Sequence, residues 1–152
     1  MPWIATIGYE GTTVEGLQDA LRAARIELLV DVRALANSRR PGFAKTRLAA
    51  NVAEVGAEYL HLRGLGTPAD GRAAARAGRH DELRAIYAAH LSTPVAQTDL
   101  ATLASIVGAG RRVCLLCFEA DPAHCHRSLV TDALAATMPI EVRHLRPEPD
   151  DS

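Results

Sequence analysis

Residues 112–136 read RVCLLCFEADPAHCHRSLVTDALAA. The first seven are almost entirely apolar, which is typical of a strand that is buried on both faces of a parallel sheet. A polar loop containing Asp121 and Pro122 follows, and we predict a helix from about His124 to Ala136. A strand, a loop and a helix in this order form the building unit of an α/β fold.

The same alternation of strand and helix extends over the rest of the chain. We predict strands over Ile4–Ile7, Ile26–Val32, Glu58–Leu62, Arg112–Phe118 and Ile140–Leu145, and further helices over Thr12–Arg25, Thr46–Val55, Asp81–Leu91 and Gln97–Val107. Thr12 and Glu15 have the spacing of a helix capping box. The segment Ala69–Gly78, rich in Ala and Arg, is predicted to be a mobile or partly helical insert.

This pattern predicts a single α/β domain over residues 1–146, followed by a disordered acidic tail at 147–152. The domain is expected to be a three-layer sandwich around a mostly parallel sheet of about five strands. With 152 residues, the chain is long enough to bury a core without a disulfide or a structural metal.

Composition excludes several classes of protein. The 17 basic and 18 acidic residues give a net charge of −1, which argues against a generic nucleic-acid-binding surface. No apolar run approaches the roughly 20 residues of a membrane span, and no secretory signal is seen, so we expect a cytoplasmic protein without membrane association. Three cysteines in such a protein are expected to be reduced. The sequence carries no signal for an oligomeric state.

Polar residues follow three of the predicted strands. Because ligands of parallel sheets bind beyond the carboxyl ends of the strands, these residues are candidates for one site. They are Gly8, Tyr9 and Glu10 after the first strand, Asp31, Arg33, Ser38 and Arg39 at and after the second, and Glu119, Cys125, His126 and Arg127 after the fourth.

The charged members of this set suggest specific roles. Asp31 and Glu119 end apolar strands, where a carboxylate is either paired or has a raised pKa suited to general acid or base catalysis. Arg33, Arg39 and Arg127 are candidate ligands for an anion, because a guanidinium binds phosphate or carboxylate oxygens with two parallel hydrogen bonds. The same charges also fit a purely structural network.

The cysteines allow two interpretations. Cys125 lies at the start of a predicted helix beside His126, where a lowered thiol pKa permits a nucleophilic role; the alternative is that it only packs there. Cys114 and Cys117, together with Cys125 and either His124 or His126, approach the four ligands and the spacing of a zinc site. However, residues three apart in a strand point to opposite faces, so we predict no metal and no cofactor, and place Cys114 in the core.

Known phosphate-binding motifs are incomplete here. The turn Gly8–Gly11 lacks the third glycine of a dinucleotide fingerprint and the Lys-Ser/Thr pair of a P-loop, and it fits an ordinary tight turn equally well. A phosphatase loop requires an arginine six residues after its cysteine, where this chain has Thr131.

Several short motifs occur in an order that resembles a known bacterial family, described as domain of unknown function 488. They are Thr6-Ile7-Gly8-Tyr9-Glu10-Gly11, Asp31-Val32-Arg33 with Ser38 and Phe43, Leu65-Gly66-Thr67, Cys117-x-Glu119 and Cys125-His126-Arg127. Ala36 stands where a proline often precedes the serine of this family, and Gly66-Thr67 replaces a glycine pair. The resemblance implies an α/β fold whose motifs line one pocket, without implying a reaction.

Two hypotheses for function follow from the residues. The first is an enzyme that acts on a phosphate-bearing substrate, a nucleotide or a nucleic-acid end. In it, Arg33, Arg39 and Arg127 bind the anion, Glu119 or Asp31 transfers a proton, and Cys125 is a possible nucleophile. The second is a non-catalytic module that binds or senses a nucleotide or nucleic acid with the same arginines. The remaining alternative is a structural partner protein in which these charges form only a network.

Overall fold

A five-stranded parallel sheet forms the centre of the fold. The structure, a computed structural model, describes residues 1–147, so the predicted tail lies outside the described residues except for Pro147. The strands are β1 (Trp3–Gly8), β2 (Leu28–Asp31), β3 (Glu58–His61), β4 (Val113–Cys117) and β5 (Glu141–His144). Their order is β3-β2-β4-β1-β5, and every neighbouring pair is parallel. The predicted α/β fold is therefore confirmed.

Helices cover both faces of the sheet. The described residues contain α1 (Val14–Ala23), α2 (Lys45–Ala53), α3 (Ala69–Arg76), α4 (His80–Leu91), α5 (Pro94–Gly108) and α6 (His126–Ala135), with short 3-10 turns at Arg63–Leu65 and Pro122–His124. One buried cluster joins α1 and α2 to the sheet. A second cluster joins α4, α5 and α6 to the opposite face, which gives the three layers. No helix within residues 1–147 is long and apolar enough to cross a bilayer.

The alternation of side chains along β4 separates two cysteines. Cys114 belongs to the cluster under α1 and α2, whereas Cys117 belongs to the cluster under α4, α5 and α6. Cys114 is fully buried and free, and burial raises the pKa of its thiol. The prediction that Cys114 is a core residue is confirmed.

The helices α2, α4 and α6 begin within two residues of their predicted starts, and the starts of α1 and α5 differ in their capping residues. Helix α1 is capped by Thr13, whose hydroxyl accepts a hydrogen bond from the backbone N–H of Gly16 at 3.0 Å, so the capping box at Thr12 was wrong by one residue. Helix α5 begins at Pro94 after the cap Thr93, three residues before the predicted start. Proline favours the first turn of a helix because its missing N–H has no partner there in any case.

The segment predicted to be an insert contains helix α3. Two glycines lower the intrinsic helix propensity of Ala69–Gly78. Packing against α4 compensates for this, since Ala74 is fully buried and Gly71 lies where an added Cβ would be 2.5 Å from Thr67 Cγ2. The helix brings Arg72 and Arg76 to the edge of the sheet.

Candidate functional site

The carboxyl ends of the strands lie along one edge of the sheet. Gly8 is in register with Cys117, Asp31 is in register with both His61 and Leu116, and Glu119 follows β4 by two residues. Gly8, Asp31 and Glu119, which the strand pattern predicts to meet, therefore lie at one edge of the sheet, together with His61. The neighbouring strands β1 and β4 connect to their next strands in opposite directions along the sheet. Ligands of parallel sheets bind at such a switch point.

A cavity of about 410 Å³ lies at this edge. This volume is within the roughly 300–1,000 Å³ of small-molecule sites. Its apolar wall includes Tyr9, Leu35, Leu83 and Phe118, and its polar lining includes Arg33, Asn37, Thr67, Arg72, Arg76, Glu119, His124 and His126. Of the residues predicted from the sequence, Tyr9, Arg33, Glu119 and His126 line this pocket.

At the end of β2, Asp31 and Arg33 form a buried ion pair. Arg33 donates Nε–H to Asp31 Oδ1 at 2.9 Å and Nη2–H to Oδ2 at 2.7 Å, and its backbone N–H also reaches Oδ1. The Tyr59 hydroxyl donates to Oδ2 at 2.5 Å, and burial followed by this bond raises the pKa of Tyr59. Asp31 is 0% exposed, so the structure places it in a structural pair away from the pocket lining.

Arg33 also holds the long loop that follows β2. Its Nη1 donates to the Tyr9 hydroxyl at 3.2 Å and to the Phe43 carbonyl at 2.9 Å. Most of its donors are thereby used inside the protein, although its side chain borders the pocket. Ser38 accepts a hydrogen bond from the backbone of Arg40, and Arg39 is exposed; neither residue lines the pocket.

At the end of β1, the chain passes very close to the end of β4. A Cβ added at Gly8 would lie 1.7 Å from the carbonyl oxygen of Glu119, so only glycine fits there. Tyr9 stacks on Phe43 and meets Phe118 edge-on. Glu10 is exposed and accepts a hydrogen bond from the backbone N–H of Ala120 at 3.1 Å. The Gly8–Gly11 turn thus positions Tyr9 and holds the β4 loop.

Glu119 presents its carboxylate to the pocket beyond β4. The side chain is partly buried, and no ion pair involves it among the described residues. Burial raises the pKa of Glu119, and the nearby charge of Arg127 acts in the opposite direction. Its Oε2 lies 3.6 Å from Cys117 Sγ. Glu119 is the carboxylate among the predicted site residues that a pocket ligand can reach.

Cys117 and Cys125 are joined, with their sulfur atoms 1.98 Å apart. The expectation of reduced thiols is therefore wrong for these two residues. The loop after β4 folds back so that residues eight apart in sequence meet, which spacing alone did not reveal. Cys117 lines the pocket, whereas Cys125 lies beneath it at 4% exposure and in this state has no free thiol to act as a nucleophile.

Arg127 lies beneath the β4 loop and does not line the pocket. It is 0% exposed, and burial lowers its pKa. Nη1 donates to the Glu119 carbonyl and lies 3.2 Å from Cys117 Sγ, while Nη2 donates to the Ala120 carbonyl at 3.1 Å. Its Nε has no hydrogen-bond partner within residues 1–147. The structure thus places this predicted anion ligand where it holds the loop.

His126 is buried between the pocket and β2. Its Nε2 lies 2.7 Å from the Val32 carbonyl oxygen, and its Nδ1 lies 3.9 Å from Cys125 Sγ. Burial lowers the pKa of His126 to about 4. The imidazole is therefore neutral at physiological pH.

Sequence reasoning missed the two arginines of α3. Arg72 and Arg76 are four residues apart, which places them on one face of the helix, and both line the pocket. Arg72 Nη1 donates to the Thr67 carbonyl at 2.8 Å, and in the described part of the chain no carboxylate forms an ion pair with either arginine. Their four-residue spacing was the signal that could have found them.

Fold and site together define an α/β protein with a pocket at the carboxyl edge of a parallel sheet. Residues 13–134 match the profile of a family described as Domain of unknown function DUF488. The match covers most of the chain, so the chain belongs to this family, as the sequence motifs indicated. No curated protein and no solved structure matches the chain.

Proposed function

We propose that the protein is an enzyme that acts on a phosphate-bearing small molecule, such as a nucleotide, in the pocket at the carboxyl edge. One observation carries this proposal: Arg72 and Arg76, which form no ion pair with a carboxylate of residues 1–147, line the same pocket as the carboxylate of Glu119. The pocket therefore combines two ligands for an anion with one group that can transfer a proton.

The two arginines favour an anionic ligand. Like charges four residues apart on a helix repel each other, so an anion that binds both guanidinium groups also removes this repulsion. The Thr67 carbonyl accepts a hydrogen bond from Arg72 Nη1, which leaves the other N–H groups of that guanidinium available for a ligand. Planar guanidinium groups bind phosphate oxygens with paired hydrogen bonds.

The remaining walls fit an aromatic ring. Phe118 is 43% exposed and packs edge-on against the buried Tyr9, with their ring centroids 5.4 Å apart, so Phe118 presents the accessible aromatic ring at the pocket. Leu83 adds an aliphatic side chain to the lining. Aromatic side chains bind flat rings by offset or edge-on packing. A nucleotide fits both sides of the pocket, because its base can pack on the apolar side while its phosphate binds the arginines of α3.

Binding is tested first by thermal shift and calorimetric titration. The probes are inorganic phosphate, pyrophosphate and the four ribonucleoside 5′-monophosphates. A probe at 100 times its Kd is expected to stabilise the fold by about 2.7 kcal/mol. Arg76→Ala is expected to weaken binding by about 10- to 150-fold, which corresponds to about 1.5–3 kcal/mol for a charged hydrogen bond.

The matched control is Arg47→Ala. Arg47 is an exposed arginine on α2 that lies outside the pocket, so this variant is expected to bind as the wild type does. The proposal is contradicted if no probe shifts the melting temperature of the wild type, or if Arg76→Ala and Arg47→Ala bind equally well.

Catalysis is tested with Glu119→Gln and whichever of pyrophosphate and the four nucleotides binds most tightly, because inorganic phosphate has no ester or anhydride bond to be cleaved. Product formation is followed by phosphorus NMR for both proteins. Loss of a positioned proton-transfer group is expected to reduce turnover by about 10²–10⁴-fold while the affinity for the probe is retained. If the wild type binds the probe and leaves it chemically unchanged, the protein is a non-catalytic binding module.

A further inference from the structure

We propose that Cys117, Cys125 and His126, once the cysteines are reduced, bind a zinc ion at the floor of the pocket. Cys117 Sγ, Cys125 Sγ and an imidazole nitrogen of His126 all lie within 4.8 Å of one another, and all three residues are buried. The proposal stands independently of the phosphate ligand, because metal content is measured on the protein alone.

The orientation of His126 fits a metal ligand. The carbonyl of Val32 can only accept a hydrogen bond, so the imidazole nitrogen 2.7 Å away, Nε2, carries the proton. Nδ1 then has a free lone pair, and it lies 3.9 Å from Cys125 Sγ. Histidines that bind metals usually donate their other N–H to a carbonyl or carboxylate, which fixes the ring in this way.

The backbone spacing of the two cysteines also fits a shared ion. Their Cα atoms are 7.5 Å apart, whereas disulfides usually have Cα separations of about 4.4–6.8 Å. Two thiolates on one zinc ion lie roughly 3.8 Å apart, because each Zn–S bond is about 2.3 Å long and the geometry is tetrahedral. Two sulfur atoms that share a zinc ion are farther apart than two sulfur atoms in a disulfide, and this larger distance fits the large Cα separation of Cys117 and Cys125.

The local charges balance when zinc is bound. Two thiolates offset the charge of Zn²⁺, and His126 contributes none. Arg127 Nη1 lies 3.2 Å from Cys117 Sγ, where its N–H bonds more strongly to a metal-bound thiolate than to an uncharged sulfur. The zinc ion with its two thiolates and the neutral imidazole therefore adds no net charge to the buried region.

The ligand set indicates which metal binds and where the site is open. Thiolates together with imidazole select zinc among the common divalent ions. Three protein ligands leave one coordination position for water or substrate, as in catalytic zinc sites. That position faces the pocket, because Cys117, His126 and the neighbouring Glu119 all line it. This set replaces the one weighed from the sequence, since Cys114 lies on the other face of β4.

Formation of the site involves one redox step and one exchange of protons. A thiol reductant supplies two electrons and two protons, which break the Cys117–Cys125 bond and give two thiols, while the reductant becomes a disulfide. Binding of Zn²⁺ then displaces both thiol protons to solvent, and the metal itself is neither oxidised nor reduced.

The experiment measures zinc per chain in tag-free protein, purified with a thiol reductant after growth in zinc-supplemented medium. Inductively coupled plasma mass spectrometry is expected to find about one zinc per chain in the wild type and in Cys114→Ala, the matched control. Cys117→Ala and Cys125→Ala are expected to retain less than about a tenth of this amount.

His126→Gln keeps the proposal testable if a cysteine variant does not fold. The side-chain amide of glutamine can still donate an N–H to the Val32 carbonyl, but it places no metal-binding atom at the position of Nδ1. Competition with a chromophoric chelator is expected to show zinc affinity at least about 100-fold below that of the wild type, while circular dichroism shows an unchanged fold. The proposal is overturned if reduced wild type lacks zinc, if Cys117 and Cys125 stay joined under reductant, or if His126→Gln retains full affinity.

Discussion

The ends of β2 and β4 both carry charged residues at the same edge of the sheet, but the two regions differ in how those charges are satisfied. At the end of β2, both carboxylate oxygens of Asp31 accept hydrogen bonds, and Arg33 donates to Asp31, Tyr9 and Phe43. At the end of β4, Glu119 has no ion pair and Arg127 Nε has no partner, within residues 1–147.

The difference separates a structural role from a functional one. A buried ion pair whose hydrogen bonds are all made fixes the surrounding backbone, here the loop that carries Tyr9 and Phe43 into place. The β4 end keeps a carboxylate, a buried guanidinium and two sulfur atoms close to a cavity. Both regions look alike in the sequence, since each is an apolar strand followed by Asp or Glu and an arginine.

The largest effect is expected from breaking the ion pair at the end of β2. Asp31→Ala leaves the guanidinium of Arg33 buried without its counter-charge, which is expected to lower the free energy of unfolding by about 3–5 kcal/mol. For a chain of this size, the melting temperature should fall by roughly 6–20 °C. Urea unfolding monitored by circular dichroism measures the change.

Two controls accompany this prediction. Asp81→Ala removes a carboxylate that is 98% exposed, lies 2.5 Å from Arg84 and stands in the first turn of α4, so a loss of no more than about 1 kcal/mol is expected. Asp31→Ala combined with Arg33→Met is expected to be more stable than Asp31→Ala alone, because no unpaired charge remains. Equal effects of Asp31→Ala and Asp81→Ala would show that the β2 pair is not structural.

A smaller effect is expected from Gly8→Ala, which changes the packing at the end of β4. The added Cβ meets the backbone carbonyl of Glu119, so the β4 loop must move away. We expect a loss of about 1–3 kcal/mol in the free energy of unfolding, as is usual for overpacking. Gly108→Ala at the end of α5 has only one ordinary contact at 3.9 Å and is expected to leave stability unchanged or slightly raised. Similar unfolding midpoints for both variants would contradict the close approach.

The smallest effect on stability is expected from Arg76→Ala. Arg76 is exposed at the pocket and forms no ion pair with any described carboxylate, so the free energy of unfolding should change by less than about 0.5 kcal/mol. The measurement is urea unfolding of the ligand-free protein. A loss comparable to that of Asp31→Ala would place Arg76 in a structural network and remove the contrast between the two regions.

Most of the fold was predictable because it depends on local periodicity. Adjacent residues alone indicate the strands β1, β2 and β4, which are apolar runs. The motif Thr93-Pro94 is a similar local signal for the start of α5, although the predicted start lay three residues later. Helix α3 was less predictable, since its two glycines oppose helix formation and only contact with α4 compensates for them.

The location of the candidate site was predicted better than its chemistry. Parallel strands bring their carboxyl ends to one edge whatever their side chains are, so Gly8, Asp31 and Glu119 were correctly placed there. Which arginine reaches the pocket depends on distances of a few ångströms between separate elements. Arg127 was chosen for its neighbours in sequence, yet it lies under the loop, while α3 supplies Arg72 and Arg76.

The α/β class, the strands and the edge at which polar residues gather follow from the amino-acid sequence, because hydrophobic periodicity and strand direction act over a few neighbouring residues. Which groups are paired and which are open depends on the packed fold. In the fold, Cys117 is bonded to Cys125, His126 Nδ1 points towards them, and Asp31 is paired with Arg33. Burial and hydrogen bonding are set by contacts between residues far apart in the chain, and these contacts exist only once the layers have packed.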